Sequence, residues 1–362
     1  MAKLFIISDD WNPQPWFSTG GTRAKKYLQA PDGKFYYFKR SQYKDPTDTK
    51  PGKDFKYEFW SEVIASEVGS MLGFNLLKYD IAIDGMIMGC ICESMINSEH
   101  EELIEGVKYL QAFAPSYEPG NKEHQIRYTF QLIENALENA KLKNEIEHII
   151  AIIIFDSLIG NGDRHQENWA LINQQRLMYE AIEEFENTEA FGKTKRRFRW
   201  LLKWIKKYMR TSHHFLEKKG RNLPKSFYIS QYRFAPIYDS GSSLGRELTN
   251  EKVEEMLINE EQLNKYIDRG VSEIHWEGKK LNHFELIRHL LESPYNEIIK
   301  PIIKMVIMNW DAARISQLVH EADRSVPESH IGYKIPNSRK QLIIKMITLR
   351  RNRLADLIHE GV

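Results

Sequence analysis

The chain has 362 residues, 42% of them hydrophobic, 12% aromatic and 28% charged. At about 100 to 200 residues per domain this suits a two-lobed enzyme or two to three domains, and it excludes a collagenous chain, a disordered one or a small disulfide or zinc scaffold. Lys and Arg number 51 against 50 Asp and Glu, so the molecule as a whole carries no polyanion-binding charge and any such contact has to be local.

The amino terminus holds one Lys and then only the apolar run Leu4 to Ile7, too short for a signal-peptide core. The expected place is the cytoplasm, with a secreted effector lacking a signal peptide as the other reading. No stretch approaches 18 apolar residues; the longest, Ile149 to Ile159, is interrupted by Asp156 and Ser157, so no membrane span is expected. The segments Lys26–Ala30 and Lys34–Lys39, joined by Pro31-Asp32-Gly33, predict a β-hairpin. Phe59, Val63, Val68 and Leu72 share a face of a helix over 56–73 that stops at Gly73, and strands are expected at 76–83 and 86–92 across Asp84-Gly85. Cys90 and Cys92 fall on one face of the second strand and read as two core thiols. This β-β-α-β-β order describes a small sheet carrying one helix. From about residue 98 the spacing is helical, over 122–142, 144–159, 251–268, 282–292, 296–322 and 338–360.

One segment stands apart. Residues 193–225 hold 13 Lys and Arg against the single acid Glu217, a local charge of +12 that leaves about −11 on the remainder. Phe198, Trp200, Leu201, Leu202, Trp204, Ile205 and Tyr208 interleave with these charges at helical spacing, which predicts an amphipathic helix packed on its lobe with a solvated basic face. Contact with a substrate, nucleic acid or an anionic membrane through 193–225 is the other reading, and Lys195-Arg196-Arg197 also resembles a nuclear address.

Three loops carry residue types suited to phosphate chemistry. Gly160-Asn161-Gly162-Asp163-Arg164-His165-Gln166-Glu167-Asn168 follows an apolar helix, and an Asp and an Asn five apart can aim two oxygens into one cleft, though such a run is also an ordinary helix-ending turn. Tyr238-Asp239-Ser240-Gly241 ends a short apolar strand, where an Asp presents a metal ligand or merely starts a turn. Ser18-Thr19-Gly20-Gly21-Thr22 precedes the hairpin, and paired glycines flanked by hydroxyls either let backbone amides approach phosphates, with Lys25 or Lys26 adding charge, or form a flexible loop. Lys39 follows four aromatics and either snorkels or binds an anion, and Glu62 on the next helix is placed to pair with it.

In this order the motifs resemble the HipA-like serine/threonine kinases of the protein-kinase and phosphatidylinositol-kinase superfamily, over nearly the whole chain. The D-x-H-x-x-N pattern is matched by Asp163, His165 and Asn168, the Y-D motif by Tyr238-Asp239, and the Gly-loop and Lys pattern by Ser18–Lys26 and Lys39. The Gly-rich loop begins by residue 18, which fits the shorter (CtkA- or HipT-like) form. The resemblance implies an α+β, bilobal protein-kinase-like fold, with an antiparallel-sheet N-lobe over 1–97 and a mainly helical C-lobe over 98–362. The roughly 70 residues between Asn168 and Asp239 imply a basic insertion at about 176–233.

The resemblance further implies ATP and Mg2+ as cofactors, Asp163 as catalytic base, Asn168 and Asp239 as metal ligands, and His165 near the γ-phosphate. Ser18, Thr19, Gly20, Gly21 and Thr22 would cover the nucleotide, and Lys39, held by Glu62, would pair its phosphates. A hinge at Cys92 to Met95, with Glu93 and Met95, would meet adenine. Autophosphorylation is expected on Ser18, Thr19 or Thr22. The implied partners are a protein substrate with a Ser or Thr hydroxyl and an antitoxin-type regulator, for a toxin or effector. A phosphatidylinositol kinase, suggested by Asn161-x-Asp163-Arg164-x₃-Asn168-Trp169, and a nucleic-acid-binding pseudokinase are the alternatives.

Overall fold

A computed structural model describes residues 2–14, 25–41, 43–44, 53–96, 100–121 and 126–359. Two compact units result, one of residues 1–95, 105–170 and 236–362, the other of residues 96–104 and 171–235.

The first unit opens with strands β1 (Leu4–Ile7), β2 (Asn12–Pro13), β3 (Lys25–Gln29) and β4 (Phe35–Arg40), then a short ribbon of β5 (Tyr43–Lys44) and β6 (Lys53–Asp54). The β3–β4 hairpin turns as its sequence predicts. Gly33 takes φ +84°, which costs a residue without Cβ nothing, and the Asp32 carboxylate accepts from the Lys34 amide at 3.0 Å. Helix α1 (Glu58–Leu72) follows, ended by Gly73 at φ +100°, and leads into β7 (Asp80–Asp84) and β8 (Ile87–Glu93). The described strands form one sheet in the order β1-β7-β8-β4-β3-β2, with β1 parallel to β7. The two amino-terminal strands are additions to the expected pattern: Leu4 to Ile7 is a sheet edge paired with Ile81, a partner some 80 residues away. In the antiparallel pairing of β4 with β8, Lys39 lies opposite Cys90. Both cysteines are buried, and burial pushes the Cys92 thiol up to about 12.

The helical part of this unit contains α2 (Gly106–Phe113), α3 (Phe130–Asn139) and α4 (Ile146–Ile159). From Ile149 to Ile159 helix α4 is buried on nearly every side, with the polar Asp156 and Ser157 inside the apolar run. In the second unit, β9 (Glu101–Glu105), β10 (Ala170–Leu177) and β11 (Tyr228–Phe234) form a three-stranded sheet among the described residues, with α5 (Met178–Glu186), α6 (Glu189–Lys193) and α7 (Arg196–Lys218) between its last two strands. The first unit then closes with α8 (Asn250–Ile258), α9 (Glu260–Asp268), α10 (His283–Leu291), α11 (Asn296–Met308), α12 (Ala312–Glu321) and α13 (Asn337–His359). Helix α4 packs against α10, α11 and α13.

Two stretches expected as single helices are each broken by a cap. The Asn259 side chain accepts from the Gln262 amide at 3.0 Å and divides 251–268 into α8 and α9. Asp311 accepts from the Arg314 amide at 2.9 Å and divides 296–322 into α11 and α12. In both, a short polar side chain satisfies a backbone donor that helix continuation would otherwise use. Helix α3 likewise begins only at Phe130, after the Thr129 hydroxyl caps the Leu132 amide at 3.0 Å.

Candidate active site

Lys39, near the end of β4, is 6% exposed and points toward α1. Its Nζ lies 3.4 Å from Glu62 Oε1 and 3.4 Å from Asp239 Oδ1, and donates to the Tyr79 hydroxyl at 3.1 Å. Burial by itself would lower the ammonium's pKa, but the Asp239 and Glu62 charges outweigh it and hold Lys39 well above its ordinary value. The Tyr79 phenol is held well above its own, first by burial and then by the Glu62 charge, so it remains a neutral hydrogen-bonding partner. Its oxygen also accepts from the Asp239 amide at 3.4 Å.

Asp239 adopts φ +56°, a left-handed conformation uncommon outside glycine and one that clusters at functional sites. The surrounding bonds over-determine it. On one side the Ser240 amide donates to Glu62 Oε2 at 2.7 Å; on the other the Tyr238 carbonyl accepts from Arg164. The Ser243 hydroxyl donates to the Ser240 carbonyl at 2.6 Å, and the Ser61 hydroxyl of α1 donates to the Ser243 carbonyl at 3.0 Å. Glu62 therefore meets both the Lys39 ammonium and the backbone beside Asp239.

The second loop leaves α4 through Gly160, at φ +69°, and runs to Trp169. Its frame is an ion pair buried beneath it. Arg164, 1% exposed, donates from Nε and Nη2 to the two oxygens of Asp156 on α4 at 2.9 and 2.7 Å, and from Nη1 to the Asn168 carbonyl at 3.0 Å. The Asn161 amide group donates to Asp156 at 3.0 Å, and its Oδ1 accepts from the Asp163 amide at 3.3 Å. Asn168 donates to the Asp163 carbonyl at 2.8 Å, which leaves its Oδ1 as the side-chain atom of ligand chemistry. The exposed Asp163 carboxylate accepts from the Ser242 hydroxyl at 2.9 Å. His165 Nδ1 lies 3.3 Å from the Glu167 carboxylate. A cavity of about 300 Å³ is lined by Asp163, His165, Gln166 and Glu167 together with Tyr128 and Glu273.

The structure thus brings Lys39, Glu62 and Asp239 together, and links Asp163 and Asn168 to them through Arg164 and the Tyr238–Ser243 segment, with His165 on the same loop beside Glu167. Glu93 ends β8 and its carboxylate pairs at the surface with Lys34 at 2.9 Å; Met95, two residues on, is half-buried. Ser18, Thr19, Gly20, Gly21 and Thr22 lie outside the described residues. Among the described residues no three His, Cys, Asp or Glu side chains gather as a metal cage. Asn168 and Asp239 offer one amide oxygen and one carboxylate, hard oxygen donors that suit a magnesium ion whose other ligands are phosphate and water.

Sequence reasoning missed Tyr79, Ser242 and the Asp156–Arg164 pair. The signal for the last was present. An Asp inside the Ile-rich run of α4 has to be paired when buried, and Arg164 is the cation eight residues downstream.

No family model matches the chain, and no curated protein sequence matches it either. Among solved structures, the Helicobacter pylori proinflammatory kinase CtkA superposes over 97% of this chain and 95% of its own, with a TM-score of 0.63 at 16% identity. The chain has a CtkA-like kinase fold. This agrees with the resemblance read from the motifs, and the curled amino-terminal sheet followed by a mainly helical part is the arrangement of that CtkA-like fold. A complex of HipA, HipB and operator DNA from Shewanella oneidensis MR-1 matches with a TM-score of 0.41 at 11% identity, covering 96% of this chain and 66% of the other. No helix among the described residues is long and apolar enough to cross a membrane.

Proposed function

We propose that the protein is an ATP- and magnesium-dependent serine/threonine protein kinase of the HipA-like type. The observation that carries this reading is the convergence of Lys39, Glu62 and Asp239 from three separate elements, next to a loop presenting Asp163 and Asn168. Phosphoryl transfer makes few covalent demands on a protein, and most of the catalysis is positioning and charge stabilisation. Lys39 would hold the nucleotide's inner phosphates, with Glu62 fixing the ammonium. Asn168 and Asp239 would hold the magnesium ion, which supplies charge neutralisation on the phosphate oxygens when bound. Asp163 would orient the acceptor hydroxyl and take up its proton; the Ser242 hydroxyl on its Oδ2 shows a hydroxyl group sitting at that carboxylate. The cavity beside Asp163 and His165 would admit the acceptor side chain.

Glu93 and Met95 would flank the adenine, and Ser18, Thr19 and Thr22 would be the sites of autophosphorylation. An antitoxin-type regulator and a toxin or effector role belong to the same proposal. The test is transfer of label from ATP with magnesium to a generic protein acceptor, to the protein itself and to phosphatidylinositol vesicles in parallel. Label on Ser or Thr is the expected result. Label on the lipid alone would replace this reading with a phosphatidylinositol kinase, and label on no acceptor would leave a pseudokinase.

A further inference from the structure

Helix α7 is 23 residues long, about 34 Å at 1.5 Å per residue, and none of its residues is fully buried. It packs against α5 through one face, where Leu202, Ile205, Met209 and Leu216, spaced by three, four and seven residues, are half-buried. That face does not exhaust its apolar side chains. Trp200, Leu201, Trp204, Tyr208 and Phe215 form a second stripe, turned by about a third of a revolution from the first at 3.6 residues per turn. Of these, Trp200 is 68% exposed, Tyr208 59% and Trp204 54%. The Trp204 and Tyr208 rings stack on one another, 5.8 Å apart and 12° from parallel, at the middle of the stripe. The sequence alone predicts a packed apolar face and a solvated basic one; the structure adds this third, aromatic face.

The charge on the helix is predominantly positive. The helix contains eight Lys and Arg and one acid, Glu217. Lys206 is drawn to Glu186 of α5, whereas Arg196, Lys203 and Lys207 flank the aromatic stripe on its other side. We infer that α7 is a membrane-surface helix that seats the protein on an anionic phospholipid bilayer. Tryptophan and tyrosine suit a boundary where one end of the ring is apolar and the other wet, and the adjacent cations match anionic headgroups. An amphipathic helix with a polar average composition lies in the interface plane and does not span it. The inference rests on α7 alone and is independent of the kinase reading, since no residue of Lys39, Glu62, Asp163 or Asp239 belongs to this unit.

The experiment is sedimentation of the full chain with vesicles of phosphatidylcholine alone and of phosphatidylcholine mixed with phosphatidylglycerol. Binding to the mixed vesicles only, weakened by salt, is expected. Trp200→Ser/Trp204→Ser/Tyr208→Ser should bind at least about tenfold more weakly, and so should Lys203→Glu/Lys207→Glu, which keeps the rings. All five side chains are exposed, so both variants should keep the wild-type circular dichroism and melting temperature. Brominated lipid should quench tryptophan fluorescence of the wild type, and much less that of Trp200→Phe/Trp204→Phe, which should still sediment. The inference is overturned if the mixed vesicles do not bind, or if they bind the aromatic variant as well as the wild type. It is also overturned if the stripe proves to hold single-stranded nucleic acid and no vesicle, or if light scattering finds a dimer that the same aromatic variant separates.

Discussion

The ammonium of Lys39 lies 3.4 Å from the carboxylate of Asp239, 200 residues further along the chain. With Glu62 equally near, one cation is shared by two carboxylates in a buried site, and each of the three depends on the others to offset its desolvation. A phosphate entering this site would compete with Asp239 for Lys39, while Glu62, anchored by the Ser240 amide, would stay with it.

Lys39→Ala is therefore expected to lower phosphoryl transfer at least about a hundredfold and to cost about 3 kcal/mol of stability, because two carboxylates lose their cation. Asp163→Ala should lower transfer by a similar factor at almost no cost in stability, since that carboxylate is exposed. Transfer assays and urea denaturation of both variants check this; more than about a tenth of wild-type rate in either would contradict the assigned roles.

The two carboxylates Asp239 and Asp163 should separate in a thermal-shift experiment. A ligand at about 100 times its dissociation constant adds roughly 2.7 kcal/mol to native stability and raises the melting temperature by a few degrees. With ATP and magnesium, Asp163→Asn should keep the wild-type shift, because its proposed contact is with the acceptor and not with the nucleotide. Asp239→Asn should lose most of it. Equal or reversed behaviour would show that base and metal ligand are wrongly assigned.

The Asp156–Arg164 pair is expected to behave as one unit. Asp156→Ala strands a guanidinium that is 1% exposed, and Arg164→Ala strands a carboxylate while removing the donor to the Asn168 and Tyr238 carbonyls. Each should cost about 3–5 kcal/mol. The double variant should fall short of the sum by more than about 1 kcal/mol, measured by chemical denaturation, whereas additive costs would mean that the two do not act together.

A pH effect is expected from His283 on α10. Burial, and then the charge of Arg350, lower its pKa from 6.5 to about 3, and neither ring nitrogen has a hydrogen-bond partner among the described residues. The folded state keeps the ring neutral while the unfolded state protonates it below pH 6.5. Its contribution is thus fully present above pH 6.5 and is lost progressively as pH falls toward 3. At pH 5 the loss should be about 2 kcal/mol, and His283→Leu should flatten that part of the stability curve. An unchanged slope between pH 7 and pH 5 in that variant would contradict the assignment.

Local chemistry in the sequence determined the hairpin at Asp32-Gly33, the stop of α1 at Gly73, the Ile-rich α4 and the order of motifs that resembles a kinase. Each depends on residues within a turn or two of one another, or on spacing, which a linear reading can weigh. What it could not weigh was the pairing of distant groups. Leu4 to Ile7 reads only as a short apolar run until β7 supplies its partner, and Asp156 reads as an interruption until Arg164 folds back onto it. Asn259 and Asp311 could each continue a helix or cap one, and in the folded chain each caps one. The left-handed backbone at Asp239 is likewise held by bonds to Glu62, Arg164 and Tyr79, all distant in sequence, and the aromatic stripe of α7 is left exposed while α7 packs on α5. Tertiary structure decided these points because burial turns an unpaired charge or backbone donor into a cost of several kcal/mol, and only the folded chain shows which partner removes it.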